Sequence, residues 1–169
     1  MPKHLLREVQ ERISRLPRDL QSEVRELYNA DSGRAKDGAY YLAQTIKMKD
    51  ETEVEEHAAI LRWHIGNFLD SACNAETDRD ELILNGISAA YRLQRAVGPS
   101  PDHVEKMLMI ARLPGLKDST CLEALDAIPN LKGTTWTGIR EQITRQSKWH
   151  AGQAAMHGSL ASRLNGVLA

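Results

Sequence analysis

A core built around aromatic rings is closed to this chain, whose 169 residues include one Phe, three Trp and four Tyr. The interior has to come from Leu, Ile, Val and Ala, a composition that suits helix packed on helix. Cysteine is equally scarce. Cys73 and Cys121 form no C-x-x-C pair, so neither a disulfide framework nor a cysteine-based zinc site is expected. Both read as reduced thiols of a cytoplasmic protein. No apolar run approaches the roughly 20 residues of a membrane-spanning helix, which removes the membrane as a partner. Alternating or β-branched runs are missing as well, so no sheet is expected. A net charge of −1 excludes a chain-wide electrostatic drive toward nucleic acid.

What the sequence does contain is helical periodicity. Leu5, Val9, Ile13 and Leu16 share a face before Pro17, and Leu20, Val24 and Leu27 restart the period after it. A third helix over 34–48 follows the turn at Asp31-Ser32-Gly33. Val54, Ala58, Leu61, Ile65, Phe68 and Ala72 then recur at 4-3-4-3-4 spacing, a heptad-like seam that marks a central helix. Asp50 with Glu53 three residues on has the form of a capping box. Thr77 opens the next helix, whose first turn is acidic, as the helix dipole favours. The expected fold is all-α, a compact bundle of about seven or eight helices. Its two long central helices cover 51–74 and 78–97, and its C-terminal helix is rich in small residues. The chain is expected to form a single helical domain over 1–169, with a sub-boundary at Gly98–Pro101, where Gly-Pro-Ser-Pro breaks it. LPGLKDST at 113–120 and IPNLKGTT at 128–135 are expected to be two similar corners, each with a hydroxyl N-cap.

Candidate chemistry is thin. Glu53-x-x-Glu56 and Asp78-x-x-Glu81 are similar to the carboxylate pairs with which helical nucleotide pyrophosphatases hold magnesium. In a helical hairpin, however, the two pairs would stand about 27 Å apart. They are read as capping and dipole-stabilising acids. His57 and His64 share a helix face but fit neither H-E-x-x-H nor Glu-x-x-His, so no metal ligands are assigned. Phosphate-binding glycine loops and nucleophile elbows are missing, and no cofactor is expected.

The informative stretch is RQSKWHAGQAAMHGSLASRLNG, residues 145–166. Residues 134–169 carry four Lys/Arg against one Asp/Glu, while residues 51–98 carry four against nine. Arg140, Arg145, Lys148 and Arg163, with Trp149 among them, have the composition of a surface for a phosphate backbone and a stacked base. Ala154, Gly158, Ser162 and Gly166 fall at i+4 intervals, a small-residue strip that lets another backbone approach closely. Arg145-Gln-Ser-Lys-Trp-His150 has the form R-x4-H and in this resembles the HEPN family of helical ribonucleases. That resemblance implies an RNA-cleaving site in which Arg145 stabilises the phosphate and His150 acts as general acid-base.

Three functions follow as expectations. The leading one is a non-catalytic helical subunit that self-associates or joins a multiprotein complex. Its basic C-terminal face would contact RNA or DNA backbone through Arg140, Arg145, Lys148, Trp149 and Arg163, and its interface would be the strip at Ala154, Gly158, Ser162 and Gly166. The alternatives are a HEPN-like ribonuclease using Arg145 and His150, and a protein-binding regulator or antitoxin-type adaptor.

Overall fold

The computed structural model describes the backbone of residues 3–152 and 155–169, and the side chains of 6–152 and 160–169. The described residues form nine helices and no strand: α1 (Lys3–Ser14), α2 (Arg18–Glu26), α3 (Ser32–Met48), α4 (Glu51–Cys73), α5 (Arg79–Val97), α6 (Pro101–Ile110), α7 (Asp118–Asp126), α8 (Thr137–Ala151) and α9 (Ala155–Leu168). The protein is therefore all-α, with one helix more than the upper expectation. The extra element lies at the C-terminal end, where two helices, α8 and α9, stand in place of the one small-residue-rich helix expected. Gly152 caps α8 by closing its amide on the carbonyls of Lys148 and Trp149. No helix among the described residues is long and apolar enough to cross a membrane.

The chain divides into two compact units, Met1–Gly98 and Pro99–Ala169. The division falls at the Gly-Pro-Ser-Pro break. Gly98 sits at φ +87°, a conformation that L side chains rarely adopt, and Pro101 takes the first turn of α6.

In the first unit, every residue of the α4 seam is buried: Val54, Ala58, Leu61, Ile65, Phe68 and Ala72. α5 answers with Leu82, Ile83, Ile87, Ala89, Ala90 and Leu93, and it packs against both α4 and α3. α3 presents the small side chains Ala35, Ala39 and Ala43, and Gly38 brings α3 close to α2. Asp31 and Asp50 cap α3 and α4, accepting from the amides of Arg34 and Thr52. The expected reciprocal partner, Glu53, lies instead against Lys49, at 3.7 Å. α5 starts one residue later than expected. Asp78 precedes it in a left-handed conformation (φ 53°) and accepts the Ser32 hydroxyl at 2.6 Å. Asp50, Glu53, Asp78 and Glu81 at these helix starts are thus engaged in a cap, a hydrogen bond or an ion pair, Glu81 pairing with Lys36 at 2.7 Å. In α1, Arg7–Glu11 and Arg12–Glu8 are exposed i,i+4 pairs, each worth a few tenths of a kcal/mol.

In the second unit, α8 packs on α9, α7 on α9, and α6 on both α7 and α8. The core is Val104, Met107, Leu108, Ile110, Leu125, Leu131, Ile143, Leu160 and Leu164. Leu131 is fully buried, and its amide reaches the carbonyl of Val167 at 3.1 Å. The two LP/IP corners are not equivalent. Their positive-φ glycines fall at Gly115 in one copy and Gly133 in the other, so the following helices start at different offsets. Lys117 and Trp136 occupy the N-cap positions of α7 and α8, and neither makes a side-chain cap, contrary to the hydroxyl caps expected. Cys73 and Cys121 are both buried and are not joined in a disulfide.

Candidate nucleic-acid interface

α8 divides its side-chain chemistry between two faces. Ile139, Ile143, Gln146, Ser147 and His150 recur at helical spacing and are buried. Gln146 holds this face to α6 by donating its amide to the carbonyl of Leu108 at 2.9 Å. The Ser147 hydroxyl reaches Oδ1 of Asn165 on α9 at 2.7 Å. The opposite face carries Thr144, Arg145, Lys148 and Trp149, all exposed.

This division separates the two members of the R-x4-H pattern. Five residues along a helix turn the side chains about 140° apart. Arg145 points to solvent, while His150 is fully buried. Nε2 of His150 lies 3.2 Å from the Gln146 amide nitrogen, which can only donate, so the imidazole lone pair there is already used.

Of the five residues expected at a nucleic-acid surface, three are displayed together and two are engaged within the fold. Arg140 donates to the carbonyl of Leu131 at 2.8 Å, a carbonyl that also accepts from Thr134. Arg163 of α9 pairs with Asp126 of α7. Arg145 and Lys148 have no ion-pair partner among the described residues. Trp149, 43% exposed, stands beside them. The structure adds a cation that the sequence did not single out. Arg112, in the turn after α6, places its guanidinium carbon 5.6 Å from the centre of the Trp149 ring, within cation–π range. Arg112, Gln142, Arg145, Gln146 and Trp149 line a groove of about 450 Å3. A second, more open depression of about 500 Å3 adjoins it through Arg145 and is lined by Thr134, Thr137, Thr144, Arg140 and Glu141. Thirty-three residues separate Arg112 from Arg145, and no local pattern links them; only the packing of α6 on α8 does.

The small-residue strip is partly visible. Ala154 lies outside the described residues, and for Gly158 only the helix is described. Ser162 and Gly166 are exposed, and a Cβ added at Gly166 would meet nothing within 4 Å. These two positions are not used for close packing among the described residues.

Polar chemistry is also concentrated in the first unit, around His64 of α4. Its ring is fully buried, with Nδ1 2.6 Å from the Tyr28 hydroxyl and Trp63 edge-on at 4.9 Å. Burial, and secondarily the charge of Arg12, lowers its pKa to about 4. Burial pushes Tyr28 up to about 12, against a hydrogen bond from Asn67 that acts the other way. A phenol that accepts from Asn67 donates its own proton to Nδ1, which leaves the imidazole hydrogen on Nε2. Nε2 is buried and has no hydrogen-bond partner among the described residues. No group of three or more His, Cys, Asp or Glu among the described residues could hold a metal.

Comparison with known proteins adds no relative: no family model, no curated protein and no solved structure matches the chain.

Proposed function

We propose that the protein is a non-catalytic helical assembly subunit whose C-terminal basic face contacts the backbone of a nucleic acid. The carrying observation is the exposed pair Arg145 and Lys148, without ion-pair partners among the described residues, beside an exposed Trp149 and the Arg112 guanidinium. Surface cations are ordinarily solvated or paired with acids. Here they gather around an indole and a groove, the combination that phosphate and base contacts use. Arg140 and Arg163 are engaged within the fold, one holding the 131–134 loop and the other tying α9 to α7. Self-association would use the α9 strip, where Ser162 and Gly166 are open. The ribonuclease alternative draws no support from the geometry, since His150 is buried with Nε2 occupied and Arg145 faces away from it.

The test is particle mass by light scattering together with the 260/280 nm absorbance ratio, on protein purified at low salt. A particle several times the 18.9 kDa chain mass, with excess 260 nm absorbance that salt removes, is the expected result. Gly166→Leu should reduce the mass without unfolding the chain, because the added side chain enters open space. A monomer free of nucleic acid at low salt would overturn the reading.

A further inference from the structure

The groove beside α8 has a size and a chemistry that narrow the kind of nucleic acid. At about 450 Å3 it lies in the range of sites that enclose one small molecule, and it is concave. A duplex presents a convex, regularly charged surface whose bases are already stacked on one another. Gripping that surface calls for many cations spread along it. The cations that could serve here number three, Arg112, Arg145 and Lys148, and acids flank them: Glu141 lines the adjoining depression, and Glu105 accepts from the Gln142 amide at 3.1 Å. Such a footprint is short for a duplex and sufficient for a nucleotide or two. The exposed indole has value for a base that is free to leave a stack, where aromatic stacking is worth about 1–3 kcal/mol per base.

We infer that this groove holds one nucleotide of a single strand, its base stacked on Trp149 and its flanking phosphates on Arg112 and Arg145. The inference rests on the nucleic-acid reading above. Arg112 comes from the turn after α6 and Arg145 from α8, so the two arginines reach the groove from different elements. Gln142 gives one of its two amide hydrogens to Glu105, and its side chain lines the groove with a carbonyl acceptor and a second N–H. Every nucleobase offers at least one N–H on its pairing edge, so such an acceptor tolerates all of them. The expected ligand class is therefore single-stranded RNA or DNA with little sequence preference, bound as a strand and not as a free nucleotide.

The experiment is fluorescence anisotropy on the full chain with a short fluorescein-labelled oligothymidylate. Unlabelled duplex of the same length and free thymidine monophosphate serve as competitors. The labelled strand should bind at low salt, with log K falling against log salt at a slope of about −1.4, the single-strand value for the two phosphates on Arg112 and Arg145. Trp149→Ala should weaken binding about tenfold or more, and Trp149→Phe, which keeps a stacking ring, should retain most of it. Arg112→Ala and Arg145→Ala should each weaken binding and flatten the slope. Circular dichroism checks that the variants remain folded, which an exposed position on α8 favours. Full affinity in Trp149→Ala, with loss in Arg145→Ala, would refute the stacked nucleotide and leave a backbone-contacting surface standing. Duplex competing as well as the strand would refute single-strand selectivity. Free monophosphate competing as well as the strand would make the site one for small nucleotides and overturn the strand assignment. A wild-type chain that binds neither strand nor duplex would remove both this inference and the function it rests on.

Discussion

An imidazole buried with no acid beside it is confined to its neutral form, because the charge has lost its water and gained no counterion. His64 is in that position, enclosed by Tyr28, Trp63 and the Arg12 guanidinium that lies over the Trp63 ring at 4.3 Å. Its folded pKa of about 4 stands below the ordinary 6.5. Between those values the unfolded chain binds a proton on His64 that the folded chain refuses, so stability falls as pH falls from about 6.5 to about 4. Above that window both states are neutral and the group contributes nothing. The whole shift corresponds to about 3 kcal/mol. His64→Phe removes the titrating group and leaves every carboxylate of the chain in place. Urea midpoints at neutral and mildly acid pH should therefore drop further for the wild type than for the variant. Parallel drops would show that His64 is not what titrates. In the sequence His64 stood out only as the partner of His57 on one face. The hydroxyl that defines its environment comes from Tyr28, 36 residues earlier, and no helical pattern carries that information.

At the scale of the element, a glycine reports close approach only if another backbone is there to approach. A Cβ at Gly38 of α3 would lie 2.6 Å from Glu26 Cβ and 3.1 Å from the Glu26 carbonyl carbon, so α2 would have to move. At Gly86 of α5 the obstacle is 2.6 Å away but is the end of the Leu69 side chain, with Phe68 at 3.0 Å. Gly166 meets nothing. Alanine gains up to ~1 kcal/mol over glycine in a helix, and overpacking costs about 1–3 kcal/mol. Thermal unfolding should accordingly rank Gly166→Ala above wild type, Gly86→Ala slightly below it and Gly38→Ala lowest. A Gly38→Ala protein as stable as wild type would mean that α2 and α3 are not in the contact described. The same contrast explains what was legible in the sequence. The 4-3-4-3-4 seam of α4 predicts burial because periodicity encodes which face is covered. Small residues at i+4 in α9 encode only that close approach is possible. Whether it happens depends on a partner: Gly38 packs beside the i+4 row Ala35, Ala39 and Ala43, and Gly86 packs one turn before Ala90, while Ser162 and Gly166 stay exposed. On the basic face, exposure of Arg145, Lys148 and Trp149 follows from α8 periodicity, whereas Arg112 arrives by tertiary packing alone.

For the whole molecule, the division at Gly98–Pro99 separates two cores of unequal size. The first unit holds the two longest amphipathic helices side by side, with α3 packed on the second of them. The second has about 70 residues, near the length below which one hydrophobic core supplies only ~3–5 kcal/mol. Its polar ties carry a larger share of the burden: Gln146 to Leu108, Ser147 to Asn165, Arg140 to Leu131 and Arg163 to Asp126. A chain with two cores of different depth need not unfold in one step. Calorimetry should resolve two transitions. A fragment ending at Gly98 should melt cooperatively near the upper one, with its helical signal intact. That fragment should also have lost every nucleic-acid contact, because Arg112, Arg145, Lys148 and Trp149 all lie beyond the division. A fragment 1–98 without a cooperative transition would mean that the larger core depends on residues 99–169. Oligonucleotide binding that persists in the fragment would move the interface off α8 altogether.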